Sequence, residues 1–355
     1  MTPFRFPLVL ATLLLLLPTG VSAACQITDY PLPQADRQRL TQGLDGQWDN
    51  DFSQKMIHIR DIYGHHLHYF ALQKKPAGED HPRLLLFLHG FPEFAWAWEK
   101  QLEYFGDRYN AVALDLKGFH YSSAPTDVNG YNFVEIAREI RAVVQCLGYE
   151  KATVVGHDFG GGIAWVLGML EPDMLDGIVV LNAPHPYLFG RELLNPDSDQ
   201  RQRVQYMFYA QGTSLSDQLN FTRIVLHDTS IFNSGFYDNG RLLRLMFENW
   251  LPLSRWYTMK NYYRAMWLPP NPQDYPATLT RFQREIYTVK VPTLLLWGMA
   301  DPYFSAHILD GLPDLVPDLT VVKYPGLSHW INHEAPDLND QIERFLDRTG
   351  PDENK

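Results

Sequence analysis

Positive charge, cysteine and long apolar runs are all scarce in this chain. Against 41 Asp and Glu stand 30 Lys and Arg, a formal net charge of −11. That balance argues against a nucleic-acid partner and against an anionic membrane surface. Two cysteines, Cys25 and Cys146, allow at most one disulfide within the chain. No internal repeat or low-complexity tract is visible beyond the N-terminal leader. The one long apolar run, Leu8–Leu17, lies at the extreme N-terminus. What remains is ample for a globular fold: 355 residues, 45% of them hydrophobic, enough for one large core or a core plus a subdomain.

Arg5, the Leu8–Leu17 run, Pro18, Gly20 and the small residues Val21-Ser22-Ala23 follow the order of a secretory signal peptide. Residues 1–23 are therefore expected to be a leader cleaved after Ala23, giving a secreted or periplasmic protein with no stable membrane partner. The alternative is a membrane anchor formed by an uncleaved segment; a span needs about 20 apolar residues, more than this run provides. In an exported protein Cys25 and Cys146 could close one disulfide. Equally, Cys146 ends the helical pattern Phe133–Leu147 and reads as an inert core thiol.

Along the body, Met56–Asp61 and His65–Leu72 flank Tyr63-Gly64 as a hairpin, and the apolar runs Leu84–Leu88, Ala111–Leu116, Ala152–Val155 and Gly177–Leu181 follow. Thr293–Trp297 and Thr320–Tyr324 complete the set. Alternation of such runs with helical spacing predicts an α/β fold, a mostly parallel sheet flanked by helices. Residues 24–183 and 292–355 are expected to form two parts of that core. Residues 184–291 lose the strand signal and read as a helical cap inserted after the sixth predicted strand. Pro252, Pro269, Pro270 and Pro272 punctuate it.

The richest segment is Val154-Val155-Gly156-His157-Asp158-Phe159-Gly160-Gly161-Gly162. An apolar strand, a Gly-x-Asp-x-Gly turn and a helix beginning by Ile163 form the layout of a nucleophile elbow. The nucleophile position holds Asp158. A serine alkylated at saturated carbon would become an ether that an activated water cannot cleave. A carboxylate becomes an ester, which water can hydrolyse at its carbonyl. Displacement at sp³ carbon followed by ester hydrolysis is the chemistry this exchange favours.

Three other segments sit at predicted strand ends. His89-Gly90-Phe91-Pro92 can aim the Phe91 amide at the elbow, pairing it with the Phe159 amide as an oxyanion hole. Asp301, in Gly298-Met299-Ala300-Asp301-Pro302, offers a carboxylate, and His329, in Gly326-Leu327-Ser328-His329-Trp330, an imidazole. The order nucleophile, acid, histidine is that of α/β-hydrolases. Singly, each residue has a plain structural reading: a turn former before proline, or a packed core histidine. Together and in order they point to a catalytic set.

With those motifs in place, the chain resembles the epoxide hydrolases of the α/β-hydrolase fold. The resemblance spans roughly 52–346 and includes His89-Gly90-Phe91-Pro92-Glu93, Asp115-Leu116-Lys117-Gly118 and Asn182-Ala183-Pro184-His185-Pro186. It implies two cap tyrosines that protonate the epoxide oxygen. Tyr206, five positions before Gln211, and Tyr263, in Asn261-Tyr262-Tyr263-Arg264, match their positions; Tyr209 and Tyr262 are the neighbours most easily confused with them. The implied partners are a small hydrophobic epoxide and water, with no cofactor and no metal. His65-His66-Leu67-His68 could suggest a metal site, but a hairpin strand edge accounts for it. Two alternatives stay open: a dehalogenase on the same scaffold, and a catalytically silent binding module. Phe159 and Phe91 lack the side-chain donors with which haloalkane dehalogenases hold halide, which weighs against the first.

Overall fold

The computed structural model describes residues 25–41, 52–78, 82–228, 246–247, 253–266, 268 and 284–350. The expected leader (1–23), Pro252, Pro269, Pro270 and Pro272 lie outside them.

The described chain builds a nine-stranded sheet in the order β1-β2-β3-β5-β4-β6-β7-β8-β9. The strands are β1 (Gln26–Asp29), β2 (Ser53–Arg60), β3 (His66–Lys74), β4 (Leu84–Leu88), β5 (Asn110–Leu114), β6 (Ala152–His157), β7 (Leu175–Leu181), β8 (Thr293–Gly298) and β9 (Leu319–Tyr324). The pairings β1–β2, β2–β3 and β3–β5 are antiparallel, and all from β5 through β9 are parallel. Central strands buried on both faces need no alternation, which is why Leu-Leu-Leu-Phe-Leu of β4 is buried at every position. Strand β1 is an addition to the sequence reading. Its four residues are largely exposed and have no apolar pattern; pairing with β2 alone makes them a strand.

In chain order the helices are α1 (Gln34–Thr41), α2 (Glu99–Phe105), α3 (Phe133–Cys146), α4 (Phe159–Leu170), α5 (Pro186–Leu194), α6 (Gln200–Arg203), α7 (Gln205–Gln211), α8 (Leu215–His227), α9 (Leu253–Met259), α10 (Asn261–Met266), α11 (Ile331–Glu334) and α12 (Leu338–Thr349). Apolar spacing at i, i+4 and i+7 lets α3 bury Ile136, Ile140 and Val143. Asn132 caps its start, the side chain accepting from the Glu135 amide at 3.0 Å. Helix α12 turns Leu338, Ile342, Phe345 and Leu346 inward, each worth about 2 kcal/mol of burial. Helices α5–α10 lie in sequence between β7 and β8, where the cap was expected.

Strand β4 neighbours β5 on one side and β6 on the other. The connections run in opposite directions from such a point and leave a crevice beyond the carboxyl ends of the strands. His89–Pro92 follows β4 and Asp158 follows β6, so both segments open onto that crevice.

Candidate active site

Asp158 sits at φ 49°, ψ −114° between β6 and α4, a strained backbone for a residue with a Cβ. The strain is held by tight packing around it. A Cβ on Gly160 would lie 2.1 Å from the Leu88 carbonyl oxygen, so only glycine lets α4 approach β4 this closely. The Gly160 amide donates to the His89 carbonyl at 3.1 Å, tying the elbow to the neighbouring turn. Helix α4 therefore begins at Phe159, earlier than the sequence pattern suggested. Three consecutive glycines have poor helix propensity, and close packing overrides it.

The two turns meet at the carboxylate. The Phe91 amide donates to Asp158 Oδ1 at 2.9 Å. The other oxygen, Oδ2, lies 3.8 Å from His329 Nε2, beyond a direct hydrogen bond. Behind the imidazole, His329 Nδ1 lies 2.8 Å from Asp301 Oδ2. The Asp301 carboxylate is filled on every side: Oδ2 also accepts from Asn182 Nδ2 at 2.6 Å, and Oδ1 from the amides of Tyr303 at 2.6 Å and Phe304 at 2.9 Å. A buried carboxylate with four donors stays ionised and fixed.

Electrostatics follow from this wiring. Burial alone would lower the His329 pKa, but the charge and hydrogen bond of Asp301, with Asp158 and Asp228 further out, raise it to about 9. Burial would raise Asp301, and the facing His329 with the Asn182 and Phe304 donors brings it below its ordinary value.

Tyr206 of α7 and Tyr263 of α10 line the same pocket as Asp158 and His329. Their rings meet edge to face at 5.8 Å. Tyr206 keeps part of its surface at solvent while its hydroxyl end is enclosed. Burial first, then the charge of Asp158 among the neighbours of each, holds both phenols well above their ordinary pKa. Both stay protonated donors. The neighbouring tyrosines separate cleanly. Tyr209 is exposed, and Tyr262 is buried, stacked on Phe159 at 4.8 Å. Phe91, Phe221 and Trp330 supply apolar walls.

Every residue the sequence nominated thus converges at one place: Asp158, Asp301, His329, Tyr206, Tyr263 and the Phe91 turn, with Phe159 opening α4 beside them. His68, from the histidine cluster, lies near the start of β3 with Nδ1 3.0 Å from Ser123 Oγ.

The description "alpha/beta hydrolase fold" matches residues 83–336. Epoxide hydrolase 1 of Caenorhabditis elegans is 30% identical over 294 residues, covering 79% of this chain and 68% of that one. Epoxide hydrolase 4 of Mus musculus is 30% identical over 296 residues, 82% of this chain and 78% of its own. The chain belongs to the epoxide hydrolase family. Among solved structures, the Bacillus megaterium epoxide hydrolase in complex with an inhibitor superposes with a TM-score of 0.68 at 30% identity, covering 82% of this chain and 99% of that one.

Within this epoxide hydrolase fold several contributors escaped the sequence reading. Asn182, at the carboxyl end of β7 with φ 38°, donates to Asp301 and accepts the Gly298 amide at 2.7 Å. It joins β7 to the loop that carries the acid. Beneath His329 lies a buried cluster: Glu93 faces His157 Nδ1 at 3.1 Å, His333 Nε2 at 2.5 Å and Asn332 Nδ2 at 3.1 Å. His157 Nε2 in turn lies 2.9 Å from the His329 carbonyl oxygen. Burial would raise Glu93, yet His333 and His157 hold it well below the usual carboxylate range. The one sequence signal for this cluster was proximity, since Glu93 and His157 fall within quoted motifs and His333 lies four positions after His329.

Proposed function

We propose that the chain hydrolyses epoxides to vicinal diols in two steps through a covalent ester on Asp158. The observation that carries this reading is the split environment of the Asp158 carboxylate. Oδ1 is held by the Phe91 amide, while Oδ2 faces His329 and the pocket that Tyr206 and Tyr263 line.

In the first step Oδ2 attacks an epoxide carbon and the carbon–oxygen bond of the ring breaks. The departing oxygen takes a proton from the tyrosine pair. Before attack the Asp158 charge is one of the influences keeping both phenols protonated. Ester formation neutralises it, so the phenols become more acidic just as the alkoxide appears. In the second step His329 Nε2 takes a proton from water, whose oxygen attacks Cγ of Asp158. The charge that develops falls on Oδ1, where the Phe91 amide already points and the Phe159 amide is its expected partner. Collapse breaks the Cγ–Oδ2 bond. His329 passes its proton to the departing Oδ2, so the diol leaves carrying that oxygen; the water oxygen replaces it, and the second proton of the water, shed as Asp158 regains its carboxylate, restores the tyrosine pair.

His329 must be neutral for that second step. Asp158 is one of the charges that hold its proton. Esterification removes that charge and lowers the histidine pKa toward working pH, which couples the two steps. The walls of Phe91, Phe221 and Trp330 support a hydrophobic epoxide as substrate, with neither metal nor cofactor needed in any step. The leader sequence supports export with cleavage after Ala23, which N-terminal sequencing of the mature protein checks.

Isotope placement tests the mechanism. In a single turnover in H₂¹⁸O with enzyme in excess, the label should enter Asp158 and the first diol should be unlabelled at its new oxygen. Label in that first diol would mean direct attack by water and would sink the ester mechanism.

A further inference from the structure

The two cysteines of the chain, 121 positions apart in sequence, meet at the edge of the sheet. We propose that Cys25 and Cys146 close a disulfide that staples the N-terminal strand β1 to the end of helix α3. Three placements support it. Gln26 pairs with His58 across β1 and β2, so Cys25 enters the sheet beside the end of that ladder. Cys146 ends α3 with its Sγ 3.9 Å from the His58 carbonyl oxygen. Both thiols are free, and the Cys25 thiol lies near enough to act on that of Cys146.

The strand concerned has little else to hold it. β1 is the outermost strand and its four residues are largely exposed. Its ladder to β2 is helped by the exposed Lys55–Asp29 pair and, just beyond, by Tyr30, whose amide donates to the Gln54 carbonyl and whose ring packs on Phe70 and Tyr121. The segment also precedes residues 83–336, which match the family. A covalent bond here closes a long loop, the situation in which a cross-link restricts the unfolded chain most. Leader cleavage after Ala23 would keep Cys25 in the mature protein, and export would place it where disulfides persist.

The chemistry has an order. Cys25 is exposed and Cys146 half-buried. Burial, followed by the hydrogen bond and charge of Cys25, raises the Cys146 thiol to about 12. Cys25 therefore attacks first, on an external disulfide of the glutathione-disulfide class, and releases one thiol of that donor. Two of the three influences that raise Cys146 come from the Cys25 thiol itself, and they vanish once it is a mixed disulfide. The Cys146 thiolate then attacks Sγ of Cys25 and expels the second donor thiol. Two S–H bonds are lost, one S–S bond forms in the protein, and the donor is reduced to two thiols that carry the protons.

The experiment uses the full chain, purified without reductant and equilibrated with glutathione disulfide. Intact mass should be lower by two hydrogen atoms, neither thiol should alkylate, and a non-reducing digest should yield one linked pair containing Cys25 and Cys146. Reduction should lower the melting temperature by roughly 5 °C and open protease sites between 25 and 41. In Cys25→Ser and Cys146→Ser, reduction should change neither. Epoxide turnover should persist in both variants, so failure of the staple would not be confused with failure of the catalytic reading. Two thiols that remain alkylatable, a link found only between two chains, or a closed bond whose reduction changes neither melting nor proteolysis would each overturn the proposal.

Discussion

Replacing Asp301 with asparagine should separate the two chemical steps, because the donors around it dictate how the amide must sit. Oδ1 of Asp301 accepts two backbone amides, from Tyr303 and Phe304, while Oδ2 accepts from Asn182 and faces His329 Nδ1. An amide oxygen can satisfy the two fixed backbone donors only by turning its NH₂ toward Asn182 and His329. His329 must then accept at Nδ1, which leaves the proton on Nε2, the atom that should take a proton from water. Asn182 can meet that NH₂ only by turning its own amide and losing the bond from the Gly298 amide, and the imidazole cannot serve with that tautomer. An aspartate-to-asparagine change behind a catalytic imidazole costs roughly 10³–10⁴-fold in the step that needs the base. Attack by Asp158 needs no base, so the first step should slow by less than about tenfold. Rapid-quench kinetics of Asp301→Asn with a hydrophobic epoxide should therefore show a burst near one equivalent of enzyme and then almost no turnover. Equal slowing of both steps, or turnover within tenfold of the parent, would refute the tautomer argument.

Tyr206→Phe and Tyr263→Phe should each slow the formation of the Asp158 ester by about 10²-fold, measured in single turnovers. Tyr262→Phe should stay within about twofold, since the buried Tyr262 hydroxyl has no hydrogen-bond partner among the described residues and does not line the pocket. Stability should vary with pH in a defined sense. The folded pKa of His329, about 9, exceeds its ordinary 6.5, so its contribution is complete below 6.5 and lost as pH rises through 9. That contribution is up to roughly 3 kcal/mol. Asp301 and Glu93 are held below their ordinary values, so theirs are lost as pH falls below about 4. Urea unfolding across pH 3–10 should show both declines, with the alkaline one absent in His329→Gln.

Much of this arrangement was legible in the residues. The buried parallel strands β4, β6, β7 and β8 are short apolar runs that end in a turn, and the catalytic candidates stand immediately after them. What the sequence hid depends on contacts made across the sheet. Strand β1 has no apolar pattern, and among the described residues it pairs with β2 alone. Helix α4 starts within a glycine run that local propensity disfavours, because its backbone must lie against Leu88. Asn182 and the Glu93–His157–His333 cluster are polar residues of ordinary appearance. Their roles arise because β7 brings Asn182 to Asp301 while β4, β6 and α11 bring the cluster beneath His329, a proximity that spacing along the chain does not encode. The tyrosines were the closest decision. Helical phase on α7 and α10, more than residue type, places Tyr206 and Tyr263 in the pocket while Tyr209 faces solvent and Tyr262 packs on Phe159.

The covalent ester is the central claim, and trapping it is the most direct test. His329→Gln removes the base that the second step requires and leaves Asp158 and both tyrosines in place. Incubated with a hydrophobic epoxide and examined by intact mass spectrometry and peptide mapping, this variant should gain the mass of one epoxide, located on the peptide that contains Asp158. An unmodified Asp158 after the variant has consumed epoxide, or an adduct on any other residue, would contradict the account.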